Sequence, residues 1–117
     1  MTAARILVAE DEFLVWLALE QDLREAGYDV LGPFASLGET REAIAREAVD
    51  LALLDINMSG EMAWPAADAL IAKNVPVILL SGYGESGLPE RYRALPRLAK
   101  PFDPQRLIDE IRRLLPG

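Results

Sequence analysis

The sequence predicts an α/β fold in which helices cover a parallel sheet, and two observations lead to this fold class. Short apolar runs of strand length recur along the 117 residues, and longer segments with helical spacing of apolar residues lie between them. Continuous apolar runs are typical of strands buried on both faces, as they are in a parallel sheet. The predicted strands are residues 5–9, 28–34, 51–54, 75–80 and, more weakly, 97–99.

Apolar stripes and capping residues predict the helices. One stripe indicates the first helix, with Gly27 as its C-terminal stop, and another, with charged residues opposite, indicates the last helix. Ser36 or Gly38 suits the start of the second helix, and Pro65 suits the first turn of the third. The two stripes are Val15, Trp16, Leu19, Leu23 and Ala26 in the first helix and Leu107, Ile108, Ile111, Leu114 and Leu115 in the last.

The segment after the fourth strand is the exception. Residues 81–89 read SGYGESGLP, and their three glycines and one proline disfavour a helix. We therefore expect a loop that includes Tyr83, with at most a short helix around residues 90–95. The order of five βα units fits a flavodoxin-like, doubly wound (βα)5 fold of one domain, residues 1–117, with strand order 2-1-3-4-5. In such a fold, ligands bind beyond the C-terminal ends of the strands.

Composition narrows the function. The chain has no cysteine and no histidine, which removes thiolate metal sites, imidazole zinc sites, Ser-His or Cys-His catalysis and any phosphohistidine. Its 19 acidic against 12 basic residues give a formal charge of −7, which argues against nucleic acid and anionic membrane surfaces and favours proteins and cations as partners. The sequence shows neither a secretory leader nor an apolar run of membrane-spanning length, so we expect a cytoplasmic protein.

Polar residues follow four of the five predicted strands, at the edge where ligands bind. Each alone has an ordinary explanation, because acids suit a helix start and Asp suits a turn. Together they are harder to explain in that way, since the four strand ends bring acids, a hydroxyl and an ammonium to the same edge. The residues are Glu10, Asp11 and Glu12 after the first strand, Asp55 and Asn57 after the third, Ser81 after the fourth and Lys100 after the fifth.

Carboxylates that meet at one edge repel each other unless a cation neutralises them, and oxygen ligands completed by water suit Mg²⁺. We therefore predict a Mg²⁺ site among these acids. A carboxylate that faces such a cation can attack a phosphoryl group and form an aspartyl phosphate. Lys100 would stabilise charge on the transferred group, and the Ser81 hydroxyl would donate a hydrogen bond to it. Because the chain has no histidine, the phosphate must come from another molecule.

These residues carry a family resemblance that covers essentially the whole chain. The segments LVAEDEF, LLDINM, LLSGYG and LAKPFD resemble the motifs of the receiver domain of two-component response regulators. The resemblance implies that Asp55 is the phosphoacceptor, with Lys100 and Ser81 at the phosphoryl group, and that a histidine kinase or histidine phosphotransfer protein donates the phosphate. It also implies a cis peptide bond between Lys100 and Pro101. The implied Mg²⁺ ligands are Asp11, Asp55 and the backbone carbonyl of Asn57, with Glu10 acting through water.

The chain departs from the family pattern at two positions. Arg97 stands three residues before Lys100, where receivers usually carry an aromatic residue, and Ser59 stands four after Asp55, where proline is usual. The LLSGYG run is also similar to the FATGUY group of single-domain receivers. We predict that Arg97 stays near the surface, in contact with acids or a protein partner, and that the switch lies in residues 82–95.

Three interpretations of the function compete. The first is a single-domain response regulator that catalyses only its own phosphorylation and dephosphorylation, which the start at Met1 and the end at Gly117 favour. The second is a receiver excised from a hybrid histidine kinase or a larger regulator. The third is a Mg²⁺-dependent phosphohydrolase with an aspartyl nucleophile, but Asn57 stands where that chemistry needs a second Asp as acid or base.

Overall fold

The computed structural model describes residues 3–82 and 88–115. The strands in these ranges are β1 (Arg5–Ala9), β2 (Asp29–Phe34), β3 (Leu51–Asp55), β4 (Asn57–Met58), β5 (Glu61–Met62), β6 (Val77–Ser81) and β7 (Arg97–Ala99). The α-helices are α1 (Phe13–Glu25), α2 (Leu37–Arg46), α3 (Trp64–Ala72) and α4 (Pro104–Leu114), and a 3₁₀ helix spans Glu90–Tyr92. Within the described residues, every helix is too short or too polar to cross a membrane.

Five of the strands form one parallel sheet in the spatial order β2-β1-β3-β6-β7, and β4 and β5 form a separate antiparallel hairpin. The predicted α/β class with a five-stranded parallel sheet is confirmed. The predicted order 2-1-3-4-5 holds only when the strands of this sheet are counted by themselves. As a numbering of all strands it is wrong, because the sequence does not reveal the hairpin: strands of two residues are too short to show a periodic pattern.

The sheet has an apolar layer on each face. Alternate residues of a strand point to opposite faces, so Ile6 and Val8 of β1 pack in the layer with α1 and α4, whereas Leu7 and Ala9 pack in the layer with α2 and α3. The stripes predicted for the first and last helices both face the layer of Ile6 and Val8. Because both faces are covered, polar side chains collect at the ends of the strands, and the C-terminal end is where open α/β sheets bind their ligands.

An irregularity in β2 fixes the backbone just before the acids. The register of β1 against β2 shifts at Ala9, whose partner is Phe34. The Phe34 carbonyl then accepts a hydrogen bond from the Glu10 backbone N–H at 3.1 Å. Gly32 lets β2 approach β1 closely at this point, since a Cβ at its position would lie 2.6 Å from the Val8 carbonyl oxygen.

The fourth βα unit differs from the other four. Among the described residues, its only helical element is the 3₁₀ helix, so the (βα)5 pattern contains four α-helices rather than five. This agrees with the poor helix potential of the sequence after β6. The middle of the predicted loop, including Tyr83, lies outside the described residues, and so does that part of the predicted switch segment 82–95.

An aromatic and ionic cluster attaches the 3₁₀ helix to α3. The Tyr92 ring is buried and stacks on Trp64, with 4.4 Å between ring centroids and 11° between ring planes. The Tyr92 hydroxyl donates a hydrogen bond to Asp68 Oδ1 at 2.8 Å, and Arg91 forms an ion pair with Asp68 Oδ2 at 2.8 Å. The chain that returns from the loop to β7 is therefore anchored before it reaches the polar edge of the sheet.

The start of α2 offers a test of the helix boundaries. The Ser36 hydroxyl accepts a hydrogen bond from the Glu39 backbone N–H at 3.2 Å and donates one to the Glu39 carboxylate at 3.1 Å. We expect Ser36→Ala to lower the free energy of unfolding by about 1 kcal/mol, because the Glu39 N–H loses its acceptor. Urea denaturation measures this change. Ser36→Asp, which keeps an acceptor, should retain the stability, and an equal loss in both variants would contradict the capping role.

Candidate functional site

The predicted polar side chains come from β1, β3, β6 and the end of β7, four strands that are neighbours in the sheet. Because the strands are parallel, their C-terminal ends meet at one edge. Three of the side chains are almost fully buried, with exposed fractions of 2% for Glu10, 3% for Asp55 and 4% for Ser81. Buried charges are costly unless they are paired, so the pairing within this cluster decides its chemistry.

Lys100 is the cation at the centre of the cluster. Its Nζ lies 2.8 Å from Glu10 Oε2, 3.3 Å from Asp55 Oδ2 and 3.4 Å from Glu12 Oε1. The Lys100 side chain is only 11% exposed, whereas that of Glu12 is 65% exposed. One partly buried ammonium therefore faces three carboxylates, and this group of four side chains keeps a net negative charge.

The hairpin formed by β4 and β5 holds two carboxylates of the cluster. The Asn57 backbone N–H donates a hydrogen bond to Asp55 Oδ1 at 3.2 Å, and the Ser59 hydroxyl donates one to Asp11 Oδ2 at 2.9 Å. The Asn57 side chain is engaged inside the hairpin, where its Oδ1 accepts a hydrogen bond from the Gly60 N–H at 2.8 Å. Asn57 therefore contributes its backbone, rather than its amide group, to the carboxylate cluster.

The cluster changes the acidity of its members. Burial, and next the negative charge of Glu10, raise the pKa of Asp55 to about 7, although the Lys100 ammonium opposes this rise. Burial alone would lower the pKa of Lys100, but its contacts with Glu10 and Asp55 outweigh burial and raise it. At Asp11, partial burial is outweighed by hydrogen bonds, above all from the Ser59 hydroxyl, and the pKa of Asp11 is lowered. Asp11 is thus the readily ionised acid of the cluster and Asp55 the reluctant one.

The acids can hold a metal ion. Glu10, Asp11 and Asp55 offer carboxylate oxygens that lie within 4.8 Å of one another. Glu10 Oε2 is buried, and among the described residues its partner is the Lys100 ammonium at 2.8 Å. A buried oxygen with unused acceptor capacity, next to an exposed carboxylate at Asp11, fits a hard cation that takes oxygen ligands. The acidic cluster predicted from the sequence is therefore a candidate metal site.

The remaining predicted residues take the following positions. Ser81 ends β6 opposite Ala99 of β7, and its carbonyl accepts a hydrogen bond from the Lys100 backbone N–H at 2.8 Å. The Lys100–Pro101 peptide bond is cis, as the resemblance implies. The sequence does not indicate the ion pair of Glu12, the residue that precedes α1, because that contact depends on how far Lys100 reaches across the edge.

Arg97 is exposed, as predicted. It lines a cavity of about 540 Å³ together with Ser81, Lys100 and Arg106. Over residues 3–82 and 88–115, Arg97 forms no ion pair, so the predicted contact with acids is not found there. Its side chain lies at the surface beside the polar edge.

The order and chemistry of these residues agree with the comparison against protein families. The model of the response regulator receiver domain matches residues 6–112, which is most of the chain. The chain therefore belongs to the response regulator receiver family.

Known relatives support this assignment. The transcriptional regulatory protein PdtaR of Mycobacterium tuberculosis is 33% identical over 111 residues, which are 92% of this chain and 54% of that protein, so the chain spans about half the length of PdtaR. The sporulation initiation phosphotransferase F of Bacillus subtilis is 26% identical over 99% of this chain and 97% of its own. The solution structure of SdrG from Sphingomonas melonis Fr1 has a TM-score of 0.88 and 29% identity, and covers 98% of this chain and 99% of its own.

The raised pKa of Asp55 predicts a pH-dependent stability without metal. The folded protein keeps the Asp55 proton up to about pH 7, whereas the unfolded chain releases it near the ordinary value of 3.8. The folded state then binds more protons between these two values, so this group makes the free energy of unfolding fall as the pH rises from 4 to 7. We expect the fall to exceed about 1 kcal/mol, since one pKa unit corresponds to about 1.4 kcal/mol.

Urea denaturation in EDTA at several pH values measures this effect, with Asp55→Asn as the matched control. The variant has no proton to release at position 55. Its free energy of unfolding, relative to that of the wild type, should therefore be higher at pH 7 than at pH 4. If the two proteins keep the same difference in stability at both pH values, Asp55 does not have the raised pKa that its burial and neighbours imply.

Proposed function

We propose that this receiver is a phosphoacceptor of a two-component or phosphorelay system and that Asp55 carries the phosphate. The observation that carries the proposal is a buried carboxylate held 3.3 Å from the ammonium of Lys100, beside two further acids that can bind a cation. A carboxylate used only for stability would be better satisfied outside such a cluster. A phosphoryl group, in contrast, needs a nucleophile, positive charge and a hydroxyl donor in one place.

The proposed metal is Mg²⁺. Asp11, Asp55 and the Asn57 backbone carbonyl would hold it, with Glu10 acting through water, because Mg²⁺ prefers oxygen ligands and keeps several waters. When bound, it would supply positive charge at the phosphoryl oxygens. The all-oxygen character of the cluster and the unused acceptor capacity of Glu10 Oε2 support this choice.

The chain's own residues have distinct tasks in the proposed reaction. A carboxylate oxygen of Asp55 attacks the phosphorus of a phosphohistidine, the P–N bond breaks, and its electron pair stays on the imidazole nitrogen, which takes up a proton. Lys100 favours the ionised form of Asp55 against its burial and then faces the transferred group. The Asn57 N–H fixes the Asp55 carboxylate through its bond at 3.2 Å, and the Ser81 hydroxyl donates a hydrogen bond to a phosphoryl oxygen.

We propose a histidine kinase or a histidine phosphotransfer protein as the phosphate donor, and the cytoplasm, where kinases find ATP, as the location. A donor histidine must reach Asp55 at the open edge of the sheet, so the donor protein has to dock beside that edge. The first turns of α1 begin directly after the acids and expose three large apolar side chains: Phe13 at 68%, Leu14 at 77% and Leu17 at 46%. Exposed apolar side chains grouped in this way suit protein contact.

Phosphorylation would then change which proteins the receiver binds, rather than drive a reaction on another substrate. The Asn57 side chain is a neutral amide and cannot serve as the acid or base that a phosphohydrolase needs, and its Oδ1 accepts a hydrogen bond from the Gly60 N–H. The regulated partner is a protein that distinguishes the two charge states of the strand edge.

Labelling with a small phosphodonor tests the acceptor. Incubation with acetyl phosphate and Mg²⁺ should place one phosphate on Asp55, detected by intact-protein mass spectrometry and removed by base. Asp55→Asn should give no labelling and keep the fold, because it removes the nucleophile with little change of shape. Labelling should also stop in excess EDTA. A variant that is still labelled would place the acceptor elsewhere, and undiminished labelling in EDTA would contradict the metal.

The apolar patch of α1 predicts a difference between donors. Leu14→Ser should leave labelling by acetyl phosphate unchanged, because Leu14 is exposed and its loss does not alter the acidic edge. Transfer from a phosphorylated histidine phosphotransfer protein should become at least several-fold slower, since the docking contact is weakened. Ile71→Ser, at an apolar residue of α3 that is 44% exposed, is the matched control and should leave both rates as they are. Equal protein-donor rates for both variants would remove α1 from the docking surface.

A further inference from the structure

The hairpin β4–β5 joins two of the site's acids through its own hydrogen bonds. Its first strand binds Asp55 through the Asn57 N–H, and its turn binds Asp11 through the Ser59 hydroxyl at 2.9 Å. Met58 is completely buried in the apolar layer with α2 and α3, which fixes the hairpin to the body of the domain. The hydroxyl of Ser59 is therefore presented to Asp11 from a rigid support.

The backbone at Ser59 is unfavourable for serine. Ser59 has a φ of 54° and Gly60 a φ of 91°. These two residues form the loop that connects β4 and β5. Positive φ at both central positions is typical of a type I′ turn, which favours Asn-Gly or Gly-Gly. The positive φ of the first position does not favour serine. The hydrogen bond to Asp11 is therefore the feature that distinguishes Ser59 from the residues this turn prefers.

We propose that Ser59 is a positioning residue for the metal site: its hydroxyl holds the exposed Asp11 carboxylate in the orientation that binds the cation. The inference rests on the proposed Mg²⁺ site and deepens it. A carboxylate ligand that accepts a hydrogen bond on one oxygen keeps its other oxygen directed at the metal and loses less freedom on binding. Asp11 needs such support because, unlike Glu10 and Asp55, it is not confined by burial.

Two substitutions separate the hydroxyl from the backbone. Ser59→Gly removes the hydroxyl and suits the positive φ, whereas Ser59→Ala removes the hydroxyl and leaves the strain. Both should bind Mg²⁺ about 3- to 10-fold more weakly than the wild type. This loss is smaller than the one typical of a buried group that hydrogen-bonds a metal ligand, because water can replace the donor at an exposed acid. In EDTA, the glycine variant should be at least as stable as the wild type and the alanine variant no more stable than it.

The measurement is a titration with Mg²⁺ alone, followed by isothermal calorimetry and by the rise in melting temperature. Ser36→Ala, which removes a serine hydroxyl from the start of α2, is the matched control and should lower the melting temperature without changing Mg²⁺ affinity. Weaker binding by both Ser59 variants supports the inference. Wild-type affinity in Ser59→Gly overturns it, even if Ser59→Ala binds weakly. If the wild type itself shows no Mg²⁺ response, the proposed metal site fails first.

Discussion

The contact between the partly buried ammonium of Lys100 and the buried carboxylates of Glu10 and Asp55 is the constraint on which the rest of this structure depends. Removing one member of a buried ion pair typically costs about 3 to 5 kcal/mol, because the other charge is left without compensation. β1, β3 and β7 must therefore end at the same level, so that the carboxylates of Glu10 and Asp55 lie 2.8 and 3.3 Å from the Lys100 Nζ. The apolar layers make this possible by fixing the strands, while the irregular pairing of β2 holds the Glu10 backbone.

The Lys100 ammonium does not neutralise all the carboxylates around it. Lys100 supplies one positive charge to a group that contains Glu10, Asp55 and Glu12, and Asp11 adds a further acid at the opening. A protein selected for stability alone would not retain so many carboxylates around one cation. Burial, and next the uncompensated charge of Glu10, therefore raise the pKa of Asp55. The proposed divalent cation would supply the missing positive charge, which an incoming phosphoryl group, being negative itself, also needs.

The sequence predicts the features that follow from local pattern or from strand direction. It does not predict contacts that depend on how distant segments of the chain pack together. The apolar runs of β1 and β7 have the predicted boundaries, and Ser36 and Gly27 mark helix ends because capping uses neighbouring residues only. The convergence of Glu10, Asp55 and Lys100 follows from strand polarity. In contrast, the β4–β5 hairpin, the Ser59 contact with Asp11 and the stack of Tyr92 on Trp64 join residues whose proximity is set by packing. No spacing rule connects residues 48 positions apart in the chain.

Phosphorylation, in the proposed mechanism, must redistribute the contacts of Lys100. The ammonium cannot face Glu10, Glu12, Asp55 and a phosphoryl group equally, so the weakest contact is the first to be given up. That contact is the one with Glu12, which is the longest at 3.4 Å and involves a side chain that is 65% exposed and can be solvated instead. Glu12 is the residue that precedes α1, directly beside the exposed Phe13 and Leu14. The ion-pair network of the phosphate site therefore reaches, through Glu12, the apolar surface on which a donor protein would dock, without requiring movement of a buried aromatic side chain.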